Sequence, residues 1–110
     1  MRRRNAMLEA LELLREVYPA FTVGQLIALL HIADEQAPLP LPDLSRRADM
    51  SRHAAWKAVA ALDASRAGQG LVQVRRWTMA PIMAGELTPK GERLCAALDA
   101  IIAEAVTIGP

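Results

Sequence analysis

Between Leu44 and Leu62 the apolar residues leave the chain little freedom. Leu44, Ala48 and Met50 come first, and Ala55, Ala58, Val59 and Leu62 then recur at helical spacing. Steps of three and four put the last four on one face of a single helix. Ser51 is a type of residue that caps a helix start by accepting from first-turn amides, so this helix is expected from Arg52 to about Ala64. Ahead of it, Pro42 and Asp43 suit the first turn of another helix, ending near Ala48. Proline lacks the donor that would go unpaired there, and aspartate complements the helix dipole. Asp49, at the junction, is a residue type that tolerates left-handed backbone. Two helices joined by so tight a turn must pack their apolar faces into one core.

The flanking segments read as follows. Met7, Leu8, Leu11, Leu14 and Val17 mark a first helix over Asn5 to Val17, with Glu9, Glu12 and Glu16 on another face and Pro19 beyond its end. Thr22 followed by Gln25 is a capping box, opening a second helix from Val23 to about Glu35. Its apolar residues cover most of the circumference, which predicts a central position. Pro38, Pro40 and Pro42 alternate, so this stretch is an extended connector or a short edge strand. Gly68 and Gly70 follow the Leu44–Leu62 pair, then Leu71 to Trp77 reads as a strand, with a partner at Ile82 to Leu87 and a hairpin tip between them. Thr88 and Pro89 start a last helix, striped by Leu94, Leu98, Ile101, Ile102 and Ala105.

A chain of 110 residues with 53% hydrophobic content fits one domain around one core. The longest apolar stretch, Val23 to Ala33, is interrupted by Gln25 and His31 and is shorter than the roughly 20 residues of a membrane span. Charges soon after the basic start exclude the apolar core of an export signal, so a cytoplasmic location is expected. Cys95 is the single cysteine, which excludes an internal disulfide. His31, His53 and Cys95 have no metal-site spacing, and no phosphate loop or nucleophile elbow is present, so neither a metal, a cofactor nor an enzymatic activity is expected.

The net charge of +1 hides an uneven distribution. From Leu44 to Ala80, Arg46, Arg47, Arg52, Lys57, Arg66, Arg75 and Arg76 stand against Asp49 and Asp63, while the stretch from Asn5 to Asp43 is acidic. If Ala55, Ala58, Val59 and Leu62 face inward, Arg52, His53, Trp56, Lys57 and Ala60 face outward. A cationic helix face of this kind suits the major groove of duplex DNA, about 12 Å wide, with Arg or Lys bonding guanine and Trp56 meeting a thymine methyl or sugar. Ser51 and the first amides suit a phosphate. Arg46 and Arg47 lie on the preceding helix, and Arg75, Arg76 and Trp77 at the end of the first hairpin strand, where a wing would reach a minor groove or flanking phosphates. The competing readings are a Trp56 that caps the core or a subunit seam, and a wing whose cations only discourage strand pairing. Arg2, Arg3 and Arg4 read as a flexible basic arm or as a simply disordered end.

The element order is that of a mainly α (α+β) winged helix-turn-helix. The segments "DLSRRADMSRHAAWKAVAAL", "GLV" at Gly70 to Val72 and "LTPKGERL" at Leu87 to Leu94 resemble the MarR family of winged-helix regulators. The resemblance implies one domain over residues 1–110, with a helix-turn-helix at 43–64, a wing at 70–87, and terminal helices at 5–17 and 89–105 that dimerise. By that resemblance the chain is a homodimeric, sequence-specific regulator, expected to be a repressor, on a palindromic operator in double-stranded DNA. The Asp-Arg-Arg wing tip usual in the family is absent, and Ser65 to Gln69 lengthen the approach to the wing. A small-molecule effector is allowed by the resemblance but has no support in these residues. The alternatives are a winged-helix protein-interaction module and a non-specific DNA-binding accessory factor of phage or plasmid type.

Overall fold

The structure, a computed structural model, describes residues 3–35, 37–63, 69–76 and 82–108; for residues 3 and 105–108 only the backbone is considered. The elements run α1 (Arg3–Val17), α2 (Val23–Asp34), β1 (Leu39–Pro40), α3 (Leu41–Arg47), α4 (Arg52–Leu62), β2 (Val72–Arg76), β3 (Met83–Leu87) and α5 (Pro89–Ile108). The strands form one antiparallel sheet in the order β1-β3-β2. Of the two readings open for the proline-rich connector, the edge strand is the one found. Leu39 and Pro40 lie opposite Gly85 and Ala84 on the outside of β3, where a residue without an amide proton is tolerated.

Helix starts follow the capping chemistry. The Thr22 hydroxyl accepts from the Gln25 amide at 3.1 Å while the Gln25 side chain accepts from the Thr22 amide at 3.3 Å, closing the box at the start of α2. Ser51 Oγ accepts from the Ala54 amide at 3.0 Å, and Thr88 Oγ1 from the Gly91 amide at 3.1 Å. Between α3 and α4, Asp49 takes φ 53°, the left-handed conformation expected of it. Ser45 Oγ donates to the Met50 carbonyl at 2.6 Å, and the Met50 amide to the Ser45 carbonyl at 3.0 Å, so the corner is bonded on both sides.

The main core gathers Leu29, Leu39, Leu44, Val59, Leu62, Leu71 and Val72, all fully buried, from α2, β1, α3, α4 and the wing root. In α4 the buried set is Ala55, Ala58, Val59 and Leu62, the face the spacing predicts. A smaller cluster of Ala10, Leu14 and Leu98, flanked by Phe21, Leu26 and Ile101, holds α1 against α5 and α2.

Two expectations need correction, and on α1 the apolar residues divide. Ala6, Ala10 and Leu14 are buried, while Met7, Leu8 and Leu11 are exposed, Leu8 at 56%. Small residues allow α1 to lie close to α5, so Met7, Leu8 and Leu11 point away from that contact. On α2 only Ala28, Leu29 and Ile32 are buried, and Val23, Ile27 and Leu30 face outward, so this helix lies at a boundary of the core and not at its centre. The basic arm is shorter than expected, because α1 begins at Arg3 and Arg4 is an exposed helical residue; Arg2 lies outside the described residues.

Candidate nucleic-acid interface

The helix pair α3–α4 fixes one face and frees another. With Leu44 and the four inward residues of α4 locked in the core, Arg52, His53 and Lys57 are exposed on the opposite side of α4. Trp56 and Ala60 are half-buried, so the tryptophan stands at the border between this face and the body of the protein. Ser51 is exposed, with its hydroxyl engaged in capping α4. Within α4 the cations Arg52 and Lys57 share the exposed face, and among the described residues no carboxylate pairs with either.

Arg46, Arg47 and Arg75 differ from these, because each is paired with a carboxylate. Arg46 pairs with Asp43 one turn earlier on α3, and Arg47 pairs with Glu35 at the end of α2. Arg75 bonds Glu86 at 2.7 Å. Glu86 lies opposite Gln73, so this is a diagonal cross-strand pair. The spacing of Asp43 and Arg46 on one helix is legible as an i,i+3 pair, whereas Glu35 and Glu86 reach their arginines only through the tertiary fold.

The wing continues the core outward. Along β2, Val72 is buried, Val74 half-buried and Arg76 exposed, so one strand face tapers from the core to solvent; Gln73 and Arg75 lie on the other. Trp77 and the expected hairpin tip lie outside the described residues. The wing root is fixed at Gly70, whose φ of 75° suits glycine. The Gly70 carbonyl accepts from Thr88 Oγ1 at 2.6 Å, the Leu71 carbonyl from the Thr88 amide at 3.0 Å, and the Leu71 amide donates to the Leu62 carbonyl at 2.9 Å. The end of α4, the wing and α5 thus meet at residues 69–71. The "GLV" and "LTPKGERL" stretches marked the two sides of this junction in the sequence, but not the bonds between them.

Elsewhere, burial first, then Asp99 and Asp34, pushes the Cys95 thiol above its ordinary value of 9.0, which leaves less of the reactive thiolate than an exposed cysteine would carry. Among the described residues no group of three His, Cys, Asp or Glu side chains could hold a metal ion, and no helix is long and apolar enough to cross a membrane. A groove of about 300 Å³ runs between α1, α2 and α5, walled by Met7, Leu11, Leu26, Leu30, Leu98 and Ile102, with Asp99 at its edge.

No family model matches this sequence, and no curated protein sequence matches it. Solved structures do. A MarR transcriptional regulator from Methanosarcina mazei Go1 superposes with a TM-score of 0.71 at 19% identity, over 96% of this chain and 71% of that one. The transcriptional regulator Tm0710 from Thermotoga maritima gives 0.73 at 17% identity, over 93% and 68% of the two chains. MepR, a transcription regulator of the Staphylococcus aureus multidrug efflux pump MepA, gives 0.71 at 17%, over 94% and 73%. The agreement spans the terminal helices as well as the helix-turn-helix and wing, and the chain therefore has the MarR-like winged-helix fold that its sequence motifs resemble.

Proposed function

We propose that this protein is a transcription regulator that binds double-stranded DNA through α4, as a homodimer on a palindromic operator, and acts as a repressor. One observation carries the reading. The burial of Ala55, Ala58, Val59 and Leu62 leaves a helix of regular length with Arg52, His53 and Lys57 exposed and free of carboxylates among the described residues. Such a face, held by a bonded turn, can enter a major groove and offer donors to guanine edges. The MarR-like fold of the solved relatives supports the same reading.

In this reading residues 43–64 are the helix-turn-helix and 70–87 the wing. Arg52, His53, Trp56 and Lys57 approach bases, and Ser51 with the first amides of α4 meets a phosphate. Arg76 and Trp77 of the wing, together with Arg46, Arg47 and Arg75, add backbone contacts, the last three only by leaving their carboxylates. The helices at 5–17 and 89–105 supply the subunit contact, and the groove between α1, α2 and α5 is where the partner's apolar residues would seat. Half-sites are then about one helical turn, roughly 34 Å, apart.

The test is selection of bound sequences from random duplexes, followed by binding of variants to the selected site. Arg52→Ala and Lys57→Ala are expected to weaken binding by about 1–3 kcal/mol each if they bond bases, and Trp56→Ala to change base preference. Enrichment of no sequence, with binding that depends only on salt, would instead mark a non-specific accessory factor. Equal affinity of all variants and wild type would remove α4 as the reading surface.

A further inference from the structure

The side chain of Gln69 has one good partner and one bad environment. Its Nε2 donates to Gln25 Oε1 at 3.3 Å, the same oxygen that accepts from the Thr22 amide at the start of α2. Its own Oε1 is buried with no hydrogen-bond partner among the described residues. A buried carbonyl left unpaired costs stability that an apolar side chain of the same length would not incur.

The backbone of the same residue is tied on both sides. The Gln69 amide donates to the Ala61 carbonyl at 3.0 Å, in the last turn of α4, and the Gln69 carbonyl accepts from Lys90 Nζ at 2.9 Å, in the first turn of α5. The Lys90 ammonium in turn lies 5.4 Å from the centre of the Tyr18 ring, at the corner between α1 and α2. One residue thus joins the end of α4, the root of the wing, and the scaffold of α1, α2 and α5. Of these ties only the one to Gln25 is made by the Gln69 side chain, and it spans 44 residues of sequence.

We propose that Gln69 is a positioning residue for DNA recognition: its side-chain amide, held by Gln25, sets the wing and the end of α4 relative to α2, at a cost in stability from its unpaired carbonyl. The inference rests on the DNA-binding reading above. It makes stability and binding move apart. Gln69→Met keeps the length and removes both the tie and the unpaired oxygen. It is expected to leave the melting temperature unchanged or raised and to weaken binding to the selected duplex by about five- to tenfold. Gln25→Glu keeps an acceptor for both Thr22 and Gln69 and is expected to bind like wild type, whereas Gln25→Met loses the same tie but also opens the α2 capping box and so melts lower than Gln69→Met. The double variant Gln25→Met/Gln69→Met is then no weaker in binding than Gln25→Met alone, because the tie to Gln69 is already gone. Amide exchange along 71–76 is faster in Gln69→Met, with α1 and α2 unchanged.

Wild-type affinity in Gln69→Met, or a loss of affinity that follows a fall in melting temperature, would overturn the role of Gln69. The two readings fail separately. If the wild type selects no duplex, DNA recognition fails and the role proposed for Gln69 goes with it. If the wild type binds, Lys57→Ala weakens it and Gln69→Met does not, only the role of Gln69 is lost.

Discussion

Gly91 stands where the first turn of α5 crosses the wing root. A Cβ built there would lie 2.1 Å from the Leu71 carbonyl oxygen and 3.0 Å from its carbon, both backbone atoms of a residue that is itself held by Thr88 and Leu62. Neither side can yield without opening the junction. Gly91→Ala is therefore expected to destabilise the fold by about 2–3 kcal/mol, read as a fall in the thermal midpoint. Gly24, in the first turn of α2, is the opposite case. Its Cβ would meet only Met50 Cε and Thr22 Oγ1, both at 3.9 Å, so Gly24→Ala should gain about 0.5–1 kcal/mol through the helix preference of alanine. Asp49 was legible from its type and place, because few residues accept left-handed backbone at a tight helical corner. The constraint on Gly91 was not, since it comes from a carbonyl twenty residues away.

At the scale of elements, the helices were readable because their starts are signalled by local chemistry. Thr22, Ser51 and Thr88 each accept from an amide three residues on, so neighbouring residues suffice to place α2, α4 and α5. The buried face of α4 was readable for the same reason, as helical periodicity is a local property. What the pattern left open was the state of the cations. Arg75 and Arg76 are adjacent in sequence, yet Arg75 is bonded to Glu86 while no carboxylate among the described residues pairs with Arg76. If the wing meets phosphates, Arg76→Ala is expected to lower the slope of log affinity against log salt by about one, and Arg75→Ala by less. Glu86→Gln frees Arg75 and should steepen the slope. Equal slopes for the two arginine variants would mean that the Glu86 bond does not persist on DNA.

For the whole molecule, the two clusters of buried residues are unequal. The helix-turn-helix and wing close on a continuous core, whereas α1, α2 and α5 meet through Ala10, Leu14 and Leu98 and leave Met7, Leu11, Leu30 and Ile102 around an open groove. Val23 is 73% exposed and Leu30 45%. Apolar residues gathered in this way are the usual mark of an interaction surface. If a second copy covers it, Leu11→Glu and Ile102→Glu should each produce a monomer in sedimentation with an unchanged helical spectrum, and binding to the full palindrome should fall towards that to a half-site. A wild-type chain that sediments as a monomer at every concentration would remove the homodimer from the proposal.

The sequence by itself determined the order of elements, where α2, α4 and α5 begin, and which side of α4 turns inward, because caps, proline positions and apolar periodicity act over one or two turns. Only the tertiary structure decided that Met7, Leu8 and Leu11 of α1 and part of α2 face outward, that Arg47 and Arg75 are held by carboxylates, and that Gln69 joins α4, α2 and α5. Those outcomes depend on how closely separate elements approach, and side chains distant in the chain compete for the same space and the same charge.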